Sequence, residues 1–276
     1  MITPRPAHLS AENASRFQDA DVVAAYPRRF PYPEEAFDVL EELLIQTGDS
    51  PRAVLDVGTG DGSLARRLVT RAAVERVDAL DQSAAMLALA RSLPNGDHPH
   101  LHWIEGQIET APLDPPYALI TAGDSLHWFD WEVALPRLAD TLTPRGLLAI
   151  AHRTLAEEPP WAEDRDALIV RYSAIHDYQD YDLIRLLTER GLFAQLGERT
   201  TRPISFTRTI DDDIEAAHSM SSLARSAMAP ENIAAFDTAL RATMAPYADE
   251  HGLIHMQVVG HIVWGKPLYG KKTHDH

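Results

Sequence analysis

The stretch VLDVGTGDGSLARRL (Val54–Leu68) decides how the chain is interpreted. An apolar run leads into three glycines, Gly58, Gly60 and Gly62, and an amphipathic segment follows. Glycine permits the positive φ angles of a tight turn and lets a ligand approach the backbone closely. A helix that begins near Ser63 would direct its free N–H groups at that ligand. The pattern therefore predicts a strand, a ligand-binding loop and a helix.

The residues around the glycines distinguish this loop from phosphate-binding loops. A dinucleotide fingerprint, G-x-G-x-x-G, requires glycine where this chain has Ser63, and a P-loop requires a lysine that is absent here. Asp61 would also repel a pyrophosphate, so the loop favours a ligand with a cationic amine or sulfonium group. Asp56 either holds an α-ammonium group or ties the loop together through backbone N–H groups, and Asp61 is interpreted as a helix cap.

A second acidic position follows the second predicted strand, in VDALDQSAAML (Val77–Leu87). In dinucleotide-binding folds, an acid at this strand end accepts hydrogen bonds from ribose hydroxyls. We predict this role for Asp81, beside Gln82, because Ser83 is the better cap for the next helix. The alternative is that Asp81 only caps that helix. Met86 either flanks an adenine face or packs in the core.

Short apolar runs alternate with helical patterns through the first half of the chain. The runs AVLDVG, RVDALD, LHWIEG, YALITAG and GLLAIAH are predicted to be strands. This alternation is typical of a parallel sheet with helices on both faces. Right-handed crossovers place the loops that follow these strands on one edge of the sheet. We predict an α/β, Rossmann-like, doubly wound fold.

Composition limits the partners of the chain. Its 25 Lys and Arg residues against 41 Asp and Glu residues give a net charge of −16. Such a surface repels nucleic acid and anionic membranes, so we expect neither as a partner. The absence of cysteine excludes disulfides and thiolate catalysis. No apolar signal-peptide region and no bilayer-length apolar run is present, which predicts a cytoplasmic protein.

The histidines do not form a metal-binding pattern. There is no H-E-x-x-H motif, and the terminal THDH (residues 273–276) is interpreted as a mobile tail. We therefore expect no metal. The sequence leaves the oligomeric state open.

The motifs together carry a resemblance to a known family. VLDVGTGDGSLARRL, LDQSAAML and YALITAGDSLHWFDW, with LADTLTPRGLLAI after them, are similar to the class I S-adenosylmethionine-dependent methyltransferases. HWFD and the upstream AYPRRFPYP resemble the small-molecule branch that includes trans-aconitate methyltransferase-like proteins. The resemblance covers about residues 17–152. It implies a seven-stranded, mostly parallel sheet with an antiparallel C-terminal strand, S-adenosyl-L-methionine as cofactor, and a small-molecule methyl acceptor.

The resemblance also implies cofactor contacts along the edge of the sheet. These are Asp56, Gly58 and Gly60 at the methionine moiety, Asp81 with the neighbouring Gln82 at the ribose, Gln107 and Ile108 at adenine, and the Ala122 carbonyl at the amino group. The family usually has aspartate where this chain has Gln107. An amide both donates and accepts, so it is still able to reach the adenine amine.

With the resemblance, three segments are predicted. Residues 1–33, which are polar and interrupted by proline, form a lid-like segment, and residues 34–152 form the cofactor-binding Rossmann-like core. Residues 153–276 form a helical cap and closing strands of the same sheet. In that region we predict helices near 182–190, 211–227 and 231–246, and an antiparallel pair of FTRTI with IHMQVVGHIVWGKP.

The acceptor is expected at the loop after the fourth strand, GDSLHWFDW (Gly123–Trp131), because ligands bind at this edge of open α/β sheets. His127 is either a general base or makes a buried hydrogen bond. Trp128 is predicted to line the substrate pocket, where its ring favours a cationic methyl group. Phe129 and Trp131 either line the same pocket or, as we favour, pack the following helix against the sheet.

Polar side chains around this loop are further candidates for substrate binding. Tyr26 and Arg29 lie in the N-terminal segment, which either covers the cofactor as a lid, as in the resembling branch, or is a surface strap. Arg29, His152 and Arg153 are candidates to bind a substrate carboxylate. Asp124 either contacts the ligands or caps a turn.

We therefore predict an enzyme that transfers the methyl group of S-adenosyl-L-methionine to an O, N or C atom of a small molecule. One alternative is an NAD(P)-dependent Rossmann oxidoreductase, which the missing fingerprint glycine and the acidic loop disfavour. The other is a catalytically silent protein that binds the cofactor for regulation.

Overall fold

The computed structural model describes residues 4–270, so the terminal THDH segment lies outside the described residues. The strands are β1 (Ala53–Val57), β2 (Arg76–Asp81), β3 (Leu101–Glu105), β4 (Tyr117–Gly123), β5 (Leu142–Leu155), β6 (Phe193–Thr200), β7 (Ile204–Thr209) and β8 (Leu253–Pro267). The helices are α1 (Ala11–Ser15), α2 (Ala20–Ala25), α3 (Glu34–Thr47), α4 (Ala65–Leu68), α5 (Ala84–Ser92), α6 (Trp131–Thr141), α7 (Ala162–Tyr172), α8 (Leu183–Glu189), α9 (Ile210–His218) and α10 (Pro230–Met244). Short 3₁₀ turns connect several of them.

The strands form one mixed sheet in the order β3-β2-β1-β4-β5-β8-β6, with β7 pairing β8 beside β6. Strands β1 to β5 pair in parallel, and β8 is antiparallel to β5, β6 and β7. The predicted Rossmann-like fold with an antiparallel C-terminal strand is confirmed. The sheet has eight strands where the resemblance implied seven, because β8 is 15 residues long and pairs with β6 along its second half and with β7 along its first.

The predicted antiparallel pair near the C-terminus is present. Phe206 in β7 pairs with Met256 in β8. Strand β6 was not predicted as a strand, because most of its side chains are exposed and it shows no apolar alternation. The helix predicted over 211–227 ends at His218 and continues only as short 3₁₀ turns.

Alternation along each strand divides the core into two layers. Leu55 and Val57 pack with α6 and its buried Trp131 on one face of the sheet. Val54 packs on the other face with α3, whose Phe37 is fully buried. Successive strand residues point to opposite faces, so the apolar run of β1 supplies both layers. The sheet is thus covered on both sides, which leaves the edge formed by the strand ends available for a ligand.

The N-terminal segment crosses that edge. Its helix α2 packs against α5 of the core and α9 of the C-terminal region. Arg28 forms an ion pair with Asp212, and the Arg16 guanidinium donates to the Ser221 carbonyl oxygen at 2.9 Å. The segment therefore joins the Rossmann-like core to the helices that follow it.

Residues 4–270 contain neither a membrane-spanning helix nor a cluster of metal-ligating side chains. No helix there is long and apolar enough to span a membrane. No group of three or more His, Cys, Asp or Glu side chains in the same range is arranged to hold a metal ion.

Candidate functional site

A cavity of about 560 Å³ lies at the loop edge of the sheet, between the strand ends and the N-terminal segment. Eight of the residues predicted to bind cofactor or substrate line it: Tyr26, Gly58, Gly60, Asp81, Gln82, Gln107, Ile108 and Trp128. Four others, Asp56, Arg29, Ala122 and His127, are not among its lining residues. The loops after β1, β2, β3 and β4 therefore meet at one ligand-sized cavity.

The glycine loop adopts the backbone conformation that its sequence requires. Gly58, Gly60 and Gly62 have φ angles of 64°, 56° and 74°, a region that other residues rarely adopt. A Cβ on Gly58 would lie 2.5 Å from the Cβ of Ser125, and one on Gly62 would lie 2.5 Å from the Trp103 ring. Close packing against Trp103 thus explains why position 62 is a glycine, whereas Gly58 and Gly60 line the cavity.

Asp81 joins the glycine loop to the next helix. Its Oδ2 accepts a hydrogen bond from the Gly60 N–H at 2.8 Å, and its Oδ1 accepts one from the Ser83 N–H at 2.8 Å. Ser83 caps α5 by accepting from the Met86 N–H. Burial raises the pKa of Asp81, and the backbone donors oppose that increase. The carboxylate is therefore held in one position at the cavity wall.

Two amides and an apolar pair lie beside Asp81. The Gln107 Nε2 donates to the Gln82 Oε1 at 3.5 Å, and both residues line the cavity. Ile108 and Met86 are buried and also line it. This part of the wall offers an apolar slot bordered by groups that both donate and accept hydrogen bonds.

Asp56 is buried behind the loop. Its two oxygens accept hydrogen bonds from the hydroxyls of Thr59 at 2.5 Å and Thr121 at 2.7 Å. Burial raises the pKa of this carboxyl from 3.8 to about 6. Asp56 lines a second, much smaller cavity together with Tyr32 and Arg153. Its side chain ties the loop to β4, and contact with an ammonium group stays a prediction.

Ala122 is fully buried in β4, where it pairs in register with Ile150. It does not line the larger cavity. The predicted contact through its carbonyl oxygen stays a prediction.

Asp124 lines the cavity and is held by several contacts, whereas the sequence left its role open. Its φ angle of 52° is unusual for a residue other than glycine, and such backbone strain concentrates at functional sites. Its carboxylate accepts hydrogen bonds from His152 Nδ1 at 2.5 Å and the Tyr32 hydroxyl at 3.2 Å, and the Arg153 Nε lies 3.3 Å away. Burial disfavours the charge of Asp124, but the hydrogen bond from His152 and the charges of His152, Arg153 and Arg29 together outweigh it and lower the pKa.

This network occupies two side chains that were candidates for binding a substrate carboxylate. The hydrogen bond to Asp124 raises the pKa of His152. Arg153 also lies over the Tyr32 ring, at 4.6 Å from its centroid. Neither His152 nor Arg153 lines the larger cavity.

The loop after β4 is fixed by the N-terminal segment. The Arg5 guanidinium donates to the carbonyl oxygens of His127 and Trp128, each at 3.1 Å. The Trp128 ring contacts Phe17 edge-on, with 5.6 Å between centroids. Burial lowers the pKa of His127 to about 4, so its imidazole is neutral at neutral pH. Trp131 is fully buried, and its Nε1 donates to the Leu126 carbonyl oxygen at 2.9 Å, as its predicted packing role requires.

Arg29 and Tyr26 stack on each other in the N-terminal segment. The Arg29 guanidinium lies 4.2 Å from the Tyr26 ring centroid and donates to the Ser219 hydroxyl and carbonyl oxygens at 2.9 and 2.7 Å. The Tyr26 hydroxyl would lie 3.2 Å from a Cβ on Gly60. Tyr26 thus lies directly over the glycine loop, and Arg29 joins the segment to the C-terminal helices.

Comparison with known proteins identifies the central part of the chain. Residues 54–146 match the family described as a methyltransferase domain. A trans-aconitate 2-methyltransferase from Yersinia pestis is 31% identical over 169 residues, which are 56% of this chain and 63% of that protein. The chain therefore aligns with less than two thirds of the length of this relative. Residues 54–146 thus match a methyltransferase domain, and the family resemblance predicted from the sequence is borne out.

Solved structures agree on the fold. A protein from Anaeromyxobacter dehalogenans, provisionally described as a type II methyltransferase, has a TM-score of 0.58 and 22% identity, covering 87% of this chain and 98% of its own. The [4+2]-cyclase SpnF has a TM-score of 0.55 and 16% identity, covering 97% of this chain and 100% of its own. At these identities the similarity concerns the fold alone.

Proposed function

We propose that this protein is an S-adenosylmethionine-dependent methyltransferase that acts on a small-molecule acceptor. One observation carries the proposal: the Gly60 N–H donates to the Asp81 carboxylate at 2.8 Å, and both residues line the cavity. This contact joins the ends of β1 and β2 and sets an acid beside a glycine turn that lacks a P-loop lysine. A family match over residues 54–146 supports the same assignment.

The side chains present fit the cofactor. Each Asp81 oxygen uses one lone pair for a backbone N–H, and a carboxylate has about four acceptor sites, so capacity remains for ribose hydroxyls. Ile108 and Met86 provide an apolar slot for an adenine ring, and Gln107 and Gln82 provide amides for its polar edge. A cavity of about 560 Å³ lies in the range that small-molecule ligands occupy.

When bound, the cofactor supplies an activated methyl group on a sulfonium. The chain itself must position the acceptor and exclude water. Phe17, Trp128 and Phe129 provide aromatic surface in the cavity, and their faces attract cationic groups. His127, if it acts as a general base, does so as a neutral imidazole, and its low pKa makes it a weak one.

Calorimetric titration with S-adenosylhomocysteine, and with NAD⁺ in parallel, tests the proposal. We expect S-adenosylhomocysteine to bind with a Kd of about 1 μM and NAD⁺ to give no binding heat. Binding of NAD⁺ alone would instead support an oxidoreductase. Binding of S-adenosylhomocysteine without methyl transfer to any of a broad acceptor panel would support a silent cofactor-binding protein.

Two glycine variants locate the bound ligand. Gly60→Ala adds a methyl group inside the cavity near the Tyr26 hydroxyl, and we expect it to weaken S-adenosylhomocysteine binding by about tenfold or more. Gly252→Ala is the matched control, because Gly252 also has a positive φ angle, 75°, but nothing lies within 4 Å of its added Cβ. Equal affinities for the two variants would place the ligand elsewhere.

A further inference from the structure

The larger cavity has an unbalanced charge. Among the residues that the structure describes, its lining includes four carboxylates, Asp81, Glu109, Asp124 and Asp130, and one cationic side chain, Arg5. Like charges at short range repel, and the effect is stronger where protein surrounds the site than in bulk water. The charges of the lining side chains therefore influence which acceptors bind in the cavity.

Arg5 offers no free N–H fork to a negatively charged acceptor, although its buried Nε has no hydrogen-bond partner among the described residues. Its Nη2 donates to the carbonyl oxygens of His127 and Trp128, and its guanidinium lies 5.2 Å from the Trp131 ring centroid. A bidentate clamp on a carboxylate needs two N–H groups directed at the ligand in a fork. In the described structure, Arg5 uses this end to hold the loop after β4.

Three further cationic side chains contact protein groups and do not line the cavity. Arg29 donates to Ser219 and stacks on Tyr26. Arg153 and His152 contact the Asp124 carboxylate. These are the side chains that the sequence suggested for a substrate carboxylate, and none is among the residues that line the cavity.

Two of the carboxylates form no close ion pair with a described residue, although the charge of Arg5 attracts that of Asp130 at longer range. Neither Glu109 nor Asp130 forms an ion pair with another residue in the range 4–270, and Glu109 Oε1 accepts only the Asp130 N–H, at 3.0 Å. They line the same cavity as Trp128 and Phe129. Aromatic faces and carboxylates both favour neutral or positively charged groups over anions.

We infer that the acceptor of this protein carries no net negative charge, and that it is a neutral or cationic small molecule with an apolar or aromatic group. This inference rests on the proposed function. It separates the chain from the relative named for trans-aconitate, a tricarboxylate, although the two are 31% identical over 169 residues.

The test compares two probes with one carbon skeleton on protein saturated with S-adenosylhomocysteine. Trans-aconitate is a trianion at neutral pH, and its trimethyl ester is neutral. We expect calorimetry to show the ester binding at least about tenfold more tightly than the trianion, with a gap that narrows at high salt. Tighter binding of the trianion, or methyl transfer to it, would overturn the inference.

A pair of double variants shows whether the lining charges cause the preference. Glu109→Gln with Asp130→Asn is expected to strengthen trianion binding by about tenfold and to leave ester binding unchanged. Asp97→Asn with Glu105→Gln removes the same charge from exposed positions outside the cavity lining and is expected to change neither. Equal effects of the two double variants would also refute the inference.

The failure of the inference and that of the proposed function are distinguishable. If S-adenosylhomocysteine does not bind, the proposed function fails and the inference falls with it. If it binds and the trianion is preferred, only the inference fails. If neither probe binds beside S-adenosylhomocysteine, the cavity does not admit an acceptor of this size and the inference is also wrong.

Discussion

Replacing Asp56 by asparagine is expected to change how the stability of the protein depends on pH. Asp56 is 1% exposed, and its two oxygens accept hydrogen bonds from Thr59 and Thr121. Burial, with a smaller contribution from the nearby Asp81 charge, raises its pKa from 3.8 to about 6. A difference of this size corresponds to about 3 kcal/mol between the two protonation states.

The direction in which the free energy of unfolding changes with pH depends on whether the folded or the unfolded state binds the Asp56 proton more tightly. Between pH 3.8 and about 6, the folded protein keeps the Asp56 proton that the unfolded chain has released. The contribution of Asp56 to the free energy of unfolding is therefore fully present below pH 3.8 and is lost as the pH rises through about 6. Asp56→Asn has no proton to lose, and an amide both donates to and accepts from hydroxyls.

Urea unfolding followed by far-UV circular dichroism, repeated across this pH range, measures the effect. Relative to Asp56→Asn, the wild-type protein should lose up to about 3 kcal/mol as the pH rises from acid to neutral. Groups shared by the two proteins cancel in the difference. Asp97→Asn, which changes the same side-chain type at an exposed position, provides the reference. Parallel pH profiles for the wild type and Asp56→Asn would refute the reasoning.

Three further substitutions test individual assignments. Asp81→Ala should weaken S-adenosylhomocysteine binding by about 1–3 kcal/mol in calorimetry, because a hydrogen-bonding carboxylate is lost, and an unchanged Kd would remove its ribose role. If His127 is the general base, His127→Ala lowers kcat by about 10²-fold or more at constant cofactor affinity. The wild-type kcat should then fall as the pH drops through about 4, since a protonated imidazole accepts no proton, and a flat profile would assign His127 to packing. Trp131→Ala should reduce the free energy of unfolding by about 3–5 kcal/mol in urea, and a loss below 1 kcal/mol would contradict its packing role.

Most of the correct predictions about the fold and the site came from short sequence patterns. Gly58 and Gly60 predict a turn with positive φ angles. Asp81 lies at the end of a strand that the pattern of apolar residues is sufficient to locate. Gly62 shows the limit of such patterns. Its sequence context groups it with the ligand loop, whereas its missing side chain makes room for Trp103, whose position depends on the pairing of β2 with β3.

Long-range contacts decided what the sequence left open. Asp124 acquires its role from Tyr32, 92 residues earlier, and from His152, 28 residues later. Arg29 was a candidate for a substrate carboxylate, but it contacts Ser219, 190 residues away. Arg5 lies on a segment without apolar periodicity, so no pattern connected it to the cavity. Such pairings follow from how the N-terminal segment crosses the sheet, and propensity or spacing does not encode that path.

Asp56 and Asp81 lie near the ends of neighbouring strands, and their different hydrogen-bond donors give these two aspartates different roles. The oxygens of Asp56 accept hydrogen bonds from two hydroxyls behind the loop. The charge of Asp56 therefore affects mainly the stability of the folded protein. The oxygens of Asp81 accept from two backbone N–H groups and keep acceptor capacity at the cavity wall. The two substitutions should therefore have different effects. Loss of the Asp56 carboxylate changes the pH dependence of stability, and loss of the Asp81 carboxylate changes ligand affinity. A variant of Asp56 that weakened ligand binding as strongly as a variant of Asp81 would show that the ligand reaches behind the glycine loop.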